Sequence, residues 1–151
     1  MTNEQKELLL KDICARSPYG VKCQIQEDED IYIGTLRTIE VDDKNGHLLD
    51  FIEPINGLNC QVYLSEIKPY LYPLSSMTEE QWMDAPYANL NEFTFDSFKC
   101  GCSTLAFETY EVNLNYVVEF INWCYKNHFD INGLIPMGLA KDATGLDVYK
   151  K

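Results

Sequence analysis

The N-terminal residues carry the hydrophobic spacing of a helix. Leu9 and Ile13 stand four residues apart, as do the apolar residues beside them, so these side chains form one stripe. Thr2, followed three residues later by Gln5, has the form of a capping box, which satisfies the exposed amides at a helix start. The pattern predicts an amphipathic helix over residues 3–16.

From residue 19 the pattern changes to alternation. Val21, Cys23 and Ile25 alternate with polar residues, which is typical of a strand with one solvated face. Alternation or β-branched composition marks three further strands, over residues 31–41, 48–52 and 58–64. Short strands joined by tight turns predict a small SH3-like barrel or a curved antiparallel sheet over residues 20–64.

Three local signals set the expected turns and bends of this sheet. Asn45-Gly46 predicts a two-residue hairpin, because a type I′ turn needs a positive φ at both positions. Gly34 predicts a bend or bulge within its strand. Residues 65–68 predict one helical turn before Pro69.

The segment of residues 69–74 is expected to be extended, since its two prolines exclude a regular helix. It is too apolar for a free linker, so we expect it to lie across the barrel and to tie the two halves of the chain together. Further along, alternation at Phe93 and Phe95 predicts a strand, and residues 105–110 predict another.

Two more helices are predicted in the second half of the chain. Thr78 and Gln81 form a second capping box, which predicts a short helix that ends by Pro86. Residues 114–127 predict a longer helix, whose apolar stripe comprises Leu114, Val117, Val118, Ile121, Cys124, Tyr125 and His128.

Together these elements predict an α+β fold in a single domain with two lobes. Residues 1–77 would hold the N-terminal helix and the barrel-like sheet, and residues 78–151 would form a mixed lobe around the one long amphipathic helix. A chain of 151 residues is long enough to build one hydrophobic core without disulfides or a metal ion to stabilise it.

The charge balance narrows the choice of partners. Twelve Lys and Arg against 24 Asp and Glu give a net charge of −12, and such a surface repels phosphate backbones, so nucleic acid is not expected as a partner. The polar N-terminus is not typical of a secretory signal, and no apolar run reaches the roughly 20 residues that span a bilayer. We therefore expect no membrane partner and a cytoplasmic location, which is the host cytoplasm if a phage encodes the protein.

The most metal-like group of residues comprises Cys100, Cys102, Cys124 and His128. Gly101 permits a sharp turn between the first two thiols, and Cys124 and His128 share a helix face, so four ligands for zinc are conceivable. A C-x-C pair is a weak zinc signal, however, and Cys124 lies on an apolar stripe, where a buried thiol behaves as a small hydrophobe. Packed cysteines and no cofactor are therefore the favoured interpretation.

Aromatic residues are in surplus, with ten Tyr, seven Phe and two Trp. Core packing accounts for many such rings, but Tyr and Trp also dominate protein–protein contacts, where they keep a polar group. The candidate contact residues are Tyr70, Tyr72, Trp82, Tyr87, Leu134, Ile135 and Met137. They predict a surface that recognises an unknown protein partner or a second copy of the chain.

Four motifs carry a resemblance to a known family. They are ARSPYGVK at residues 15–22, IKPYLYPLSSMTEEQ at 67–81, HFD at 128–130 and GLIPMGLA at 133–140. On these motifs the chain resembles a family of small uncharacterised proteins from gut Bacteroides-type bacteria and their phages or mobile elements. The resemblance implies a cytoplasmic or phage setting, and it brings no activity, cofactor or catalytic residue.

The sequence contains no local catalytic motif, so it favours a non-enzymatic protein-binding or accessory module of a bacterium, phage or mobile element. Two alternatives stay open. The acidic surface could imitate nucleic acid and inhibit a defence protein, which requires carboxylates in rows on one face. A small zinc- or thiol-dependent enzyme requires the cysteines and His128 to converge within one coordination sphere.

Overall fold

The structure is a computed structural model that describes residues 1–27, 30–42, 46–52, 59–86, 95–96 and 114–149. Its helices are α1 (Asn3–Arg16), α2 (Glu79–Met83) and α3 (Leu114–Lys126). Its strands are β1 (Lys22–Glu27), β2 (Asp30–Asp42), β3 (Gly46–Ile52), β4 (Asn59–Tyr63), β5 (Ile67–Pro73), β6 (Phe129–Asp130) and β7 (Lys141–Asp142). The fold class is α+β, as the sequence predicts.

Helix α1 begins and ends at the predicted residues. Thr2 Oγ1 accepts a hydrogen bond from the Gln5 amide at 3.2 Å, and Gln5 Oε1 accepts one from the Thr2 amide at 2.9 Å, which completes the capping box. Leu9 and Ile13 are fully buried in one cluster with residues of the sheet. The helix therefore packs its predicted apolar stripe against the strands.

Within the described residues the strands pair into a seven-stranded sheet, in the order β4-β3-β2-β1-β5-β6, with β7 also paired to β5. Pairing is antiparallel from β4 to β5, whereas β6 and β7 lie parallel to β5. The described sheet is open, since β4 at one edge does not pair with the strands at the opposite edge. Strand β5 contains residues 69–73 of the predicted extended segment, whereas Leu74 begins a 3₁₀ turn, and β5 joins β1 to the C-terminal strands.

Gly34, where the sequence predicts a bend or bulge, is not a β-bulge. Gly34 pairs in register with Cys23, and the irregularity of β2 lies between Leu36 and Thr38. A Cβ atom at Gly34 would lie 2.6 Å from Ile25 Cδ1, which is closer than real side chains approach. The glycine therefore permits tight packing inside the sheet and does not interrupt the pairing with β1.

The two-residue turn predicted at Asn45-Gly46 is also wrong. Gly46 belongs to β3 and pairs with Asp42, so residues 43–45 separate the two strands. Those three residues lie outside the described part of the chain. The helical turn predicted at residues 65–68 starts one residue earlier, as a 3₁₀ turn over Leu64–Glu66.

The core consists of two hydrophobic clusters that meet at β5. The first contains Leu71 together with α1 and the sheet residues, and the second contains Met77, Trp82, Cys124 and Phe129. Successive side chains of a strand point to opposite faces. Tyr72, the neighbour of Leu71, accordingly packs against the second cluster. Strand β5 is thus covered on both faces.

The second half of the chain departs from the prediction at two points. Phe95 and Asp96 have helical backbone, so the strand predicted at Phe93 and Phe95 is wrong at Phe95. Phe93 and residues 105–110 lie outside the described residues. In α3, Val118 is exposed, which makes the buried stripe narrower than predicted. Among the described helices, none combines the length and hydropathy that a bilayer crossing requires.

Candidate functional site

The structure does not bring the six described residues of the predicted contact set together on one surface. Tyr70, Trp82 and Leu134 are buried. Tyr72 and Ile135 are half-buried, Met137 is 49% exposed, and Tyr87 lies outside the described residues. The physical reason is that β5 is covered on both faces, while the Trp82 ring packs against Phe95 and Phe120. Tyr70, Trp82 and Leu134 therefore belong to the core and not to a contact surface.

Of the four candidate zinc ligands, the structure describes only Cys124 and His128. Cys124 is fully buried in the second cluster, and burial raises the pKa of its thiol to about 12. A metal ligand or a nucleophile needs the thiolate, which this environment disfavours. Within the ranges that the structure describes, no three His, Cys, Asp or Glu side chains converge as metal ligands.

A different site lies beside His128. A cleft of about 580 Å³ opens where the turn after α1, the first residue of β1, the end of α3 and the C-terminal segment meet. Its aromatic lining residues are Tyr19, Tyr72, His128 and Tyr149, and its polar lining residues are Lys22, Gln81, Lys126 and Asn127. The cleft thus combines flat rings with hydrogen-bond donors and two positive charges.

His128 has an uncommon backbone conformation. It lies two residues after the last residue of α3 and has a φ of 60°, in the left-handed region that favours glycine at helix ends. Its amide donates to the Tyr125 carbonyl at 3.2 Å, and its carbonyl accepts from the Tyr72 amide at 2.9 Å. The helix end and β5 therefore hold this residue from both sides in a conformation that a non-glycine residue seldom adopts.

The His128 ring is stacked and nearly enclosed. Only 8% of the residue is exposed, and its ring lies parallel to that of Tyr149, with the centroids 3.9 Å apart. Its Nδ1 atom is buried and makes no hydrogen bond to a described residue. A buried polar atom without a partner costs about 1–3 kcal/mol. Strain and an unsatisfied polar atom at one position are typical of a functional site.

His128 is neutral at neutral pH. Burial, then the charges of Arg16 and Lys22, lower the pKa of its imidazole from 6.5 to about 4. The carboxylate of Asp130, two residues after His128, accepts hydrogen bonds from the amides of Leu134 and Ile135, each at 2.8 Å. Asp130 therefore shapes the following loop and does not orient the imidazole.

Tyr149 anchors the C-terminal wall of the cleft. Its hydroxyl donates to the Tyr70 carbonyl at 2.7 Å and accepts from the Lys22 amide at 3.2 Å. One side chain thus bridges β5 and β1, and burial raises the pKa of this phenol. The stacked His128–Tyr149 pair is therefore fixed to the sheet.

A buried ion pair supports the residue that follows His128. Arg16 Nε donates to Asp12 Oδ2 at 2.6 Å, and both side chains are fully buried. Arg16 Nη2 also donates to the Phe129 carbonyl at 2.8 Å, while Asn132 Nδ2 donates to Asp12 Oδ1 at 2.8 Å. Helix α1 is thereby connected to the chain immediately after α3.

The described residues that line the cleft carry aromatic rings, side-chain amides and lysine ammonium groups. Among its described lining residues there is no cysteine, serine or threonine that His128 could activate as a nucleophile, and no carboxylate. The sequence did not predict Tyr19, Lys22 and Tyr149 as site residues, because they belong to three separate segments that only the fold brings together. It predicted His128 as a metal ligand and Tyr72 as a contact residue.

No protein-family model, no curated protein and no solved structure matches this chain. The resemblance to the family of gut Bacteroides-type bacteria and their phages therefore stays a prediction.

Proposed function

We propose that this chain is a non-enzymatic binding module that captures a segment of a partner protein in the cleft beside His128. The observation that carries the proposal is the setting of His128: a neutral imidazole, strained at the backbone and unsatisfied at Nδ1, in the wall of an aromatic cleft. Folding alone does not favour this combination, because it costs free energy in the isolated chain.

The shape of the cleft favours a polypeptide segment over a fully enclosed small molecule. Ligand pockets for small molecules enclose most of the ligand surface. This cleft is an open groove, and Tyr19 on its wall is 39% exposed. Tyrosine offers a large apolar area at low conformational cost together with a hydroxyl, which suits a protein contact.

We further propose that the sheet is an SH3-like barrel. The order β4-β3-β2-β1-β5, the 3₁₀ turn over Leu64–Glu66 between β4 and β5, and the irregularity in the long strand β2 support this description. We also place the module in the cytoplasm, as an accessory protein of a bacterium, phage or mobile element. The described cysteines are free thiols, which suits a reducing compartment.

A matched pair of tyrosine variants tests the binding module. Random peptides displayed on phage are panned against the folded chain, and the affinities of the enriched peptides are then measured by fluorescence anisotropy. We expect Tyr19→Ala to weaken binding by about fivefold or more, as for a central interface tyrosine. Tyr63→Ala serves as the control, because Tyr63 is 37% exposed but lies on β4 outside the cleft.

Two outcomes would overturn this function. One is that no peptide is enriched above a blank surface. The other is that the enriched peptides bind the two variants equally well, which would place their site outside the cleft. Thermal unfolding of each variant confirms beforehand that both still fold.

A further inference from the structure

We infer that the cleft selects an acidic segment of its partner, an inference that rests on the proposed function. Lys22 and Lys126 both line the cleft, and no Asp or Glu stands among its described lining residues. Neither lysine ammonium forms an ion pair with another described residue. In a chain with twice as many acidic as basic side chains, this is a local concentration of unpaired positive charge.

The net charge of −12 does not cancel this local field. Charges in water are screened over about 8 Å at physiological ionic strength, so a ligand inside the cleft responds mainly to the groups that line it. His128 is neutral at neutral pH and adds no charge. The two lysines therefore set the sign of the potential that a bound segment meets, and they attract carboxylates.

The remaining polar lining residues complement a carboxylate-bearing chain. Gln81 Oε1 accepts from the Thr78 amide at 2.9 Å, which leaves the Gln81 amide nitrogen as a donor. Asn127 Nδ2 donates one hydrogen bond to the Trp123 carbonyl at 2.9 Å and carries a second proton. Both amide groups thus carry N–H donors beyond the hydrogen bonds named here, while Tyr19 and Tyr72 offer apolar area to a neighbouring side chain.

The experiment uses two peptides that differ only in charge. A hexapeptide of alternating glutamate and tyrosine is compared with one of alternating glutamine and tyrosine, and binding to the full chain is measured by fluorescence anisotropy. We expect the glutamate peptide to bind more tightly, and its advantage to shrink at high salt because exposed ion pairs are screened.

Matched lysine variants localise the effect. Lys22→Gln combined with Lys126→Gln removes both cleft charges, and we expect it to weaken the glutamate peptide about tenfold. Lys68→Gln combined with Lys11→Gln is the control, since it also removes one strand lysine and one helix lysine, both exposed and outside the cleft. The control keeps the same net charge as the test variant, and we expect it to bind almost as the parent chain does.

The outcomes separate this inference from the proposed function. The binding of the enriched peptides could require Tyr19 while the peptides are neutral or basic, or while they bind both lysine double variants with equal affinity. Either result keeps the proposed binding module and overturns the acidic segment. Lysine-dependent binding of ATP without binding of the glutamate peptide would assign the cleft to a nucleoside phosphate instead. Light scattering could instead show that the mass of the parent chain increases with protein concentration and that the mass of the Lys22 and Lys126 variant does not. That result would assign the cleft to a second copy of the chain. Either result overturns the acidic segment.

Discussion

His128 is held in a conformation and an environment that both cost free energy. A left-handed backbone costs a non-glycine residue about 1 kcal/mol, and the buried Nδ1 adds the cost of an unsatisfied polar atom. Stacking on Tyr149 and the backbone hydrogen bond from Tyr72 hold the residue there. The conformation of His128 is therefore fixed by contacts within the chain.

The lowered pKa of His128 makes the stability of the protein sensitive to acid. In the unfolded chain this imidazole takes up a proton near pH 6.5, whereas in the folded protein it does so near pH 4. Between these values the unfolded state binds more protons, so the free energy of unfolding falls as the pH is lowered. The loss amounts to at most about 3 kcal/mol and is absent above pH 6.5. Denaturant unfolding at a series of pH values measures it.

Two histidine variants isolate this effect from the titration of carboxylates. His128→Gln lacks the titrating ring, so its stability should change less between pH 6.5 and 5 than that of the parent chain. His47→Gln removes the other histidine and measures how much of the parent slope belongs to that residue. Equal slopes for His128→Gln and the parent chain would show that His128 titrates normally in the folded protein.

At the scale of the elements, the buried Asp12–Arg16 pair connects α1 to the C-terminal residues. Asp12 accepts hydrogen bonds from Arg16 and Asn132, and Arg16 reaches the Phe129 carbonyl. Arg16 also lies over the Tyr125 ring, 4.9 Å from its centroid. Burying two charges is expensive, so the pair contributes less to net stability than its contacts imply. Its consequence is the fixed position of α1 relative to β6.

Removing one member of this pair should be far more damaging than removing both. Asp12→Ala leaves the Arg16 charge buried and unpaired, and we expect it to lower the free energy of unfolding by about 3–5 kcal/mol. The double variant Asp12→Leu with Arg16→Met replaces both charges by apolar groups and should be more stable than Asp12→Ala alone. Guanidinium unfolding provides the comparison.

Glu7→Ala and Lys11→Ala supply the matched control for the ion pair. Glu7 and Lys11 have the same four-residue spacing on α1 as Asp12 and Arg16, but both are exposed. Each substitution should therefore change the free energy of unfolding by no more than about 0.5 kcal/mol. A double variant less stable than Asp12→Ala would mean that the ion pair itself, and not the burial of a lone charge, dominates at this site.

Local signals predicted the elements better than the site. The capping boxes at Thr2 and Thr78 placed the starts of α1 and α2 correctly, because each involves residues only three positions apart. The pairing of Gly46 and the packing around Gly34 depend on partner strands that are distant in sequence. Local signals therefore wrongly predicted a two-residue turn at Gly46 and a bulge at Gly34. The residues that surround His128 are remote from it in sequence, since Arg16 precedes it by 112 residues and Tyr149 follows it by 21.

At the scale of the whole molecule, β5 belongs to both hydrophobic clusters. Leu71 packs in the first and Tyr72 against the second, and the strand pairs with β1 as well as with β6 and β7. Arg16 and Tyr149 add hydrogen bonds that cross from one end of the chain to the other. The two predicted lobes, residues 1–77 and 78–151, thus share a strand, so we expect them to unfold as one cooperative unit.

The cysteines report on this cooperativity without further mutation. Cys23 lies in the first cluster and Cys124 in the second, both are fully buried, and burial raises the pKa of both thiols. A small thiol reagent should therefore reach them only when the surrounding cluster opens.

The measurement is peptide mapping by mass spectrometry after labelling at increasing denaturant concentrations. If the clusters open together, Cys23 and Cys124 should give the same free energy of opening, equal to that of global unfolding. Cys14 is exposed on α1 and should be labelled at once, which checks the reagent. A lower opening free energy at Cys124 than at Cys23 would mean that the second cluster opens by itself. The contacts of β5 with the C-terminal strands would then be too weak to join the lobes into one unit.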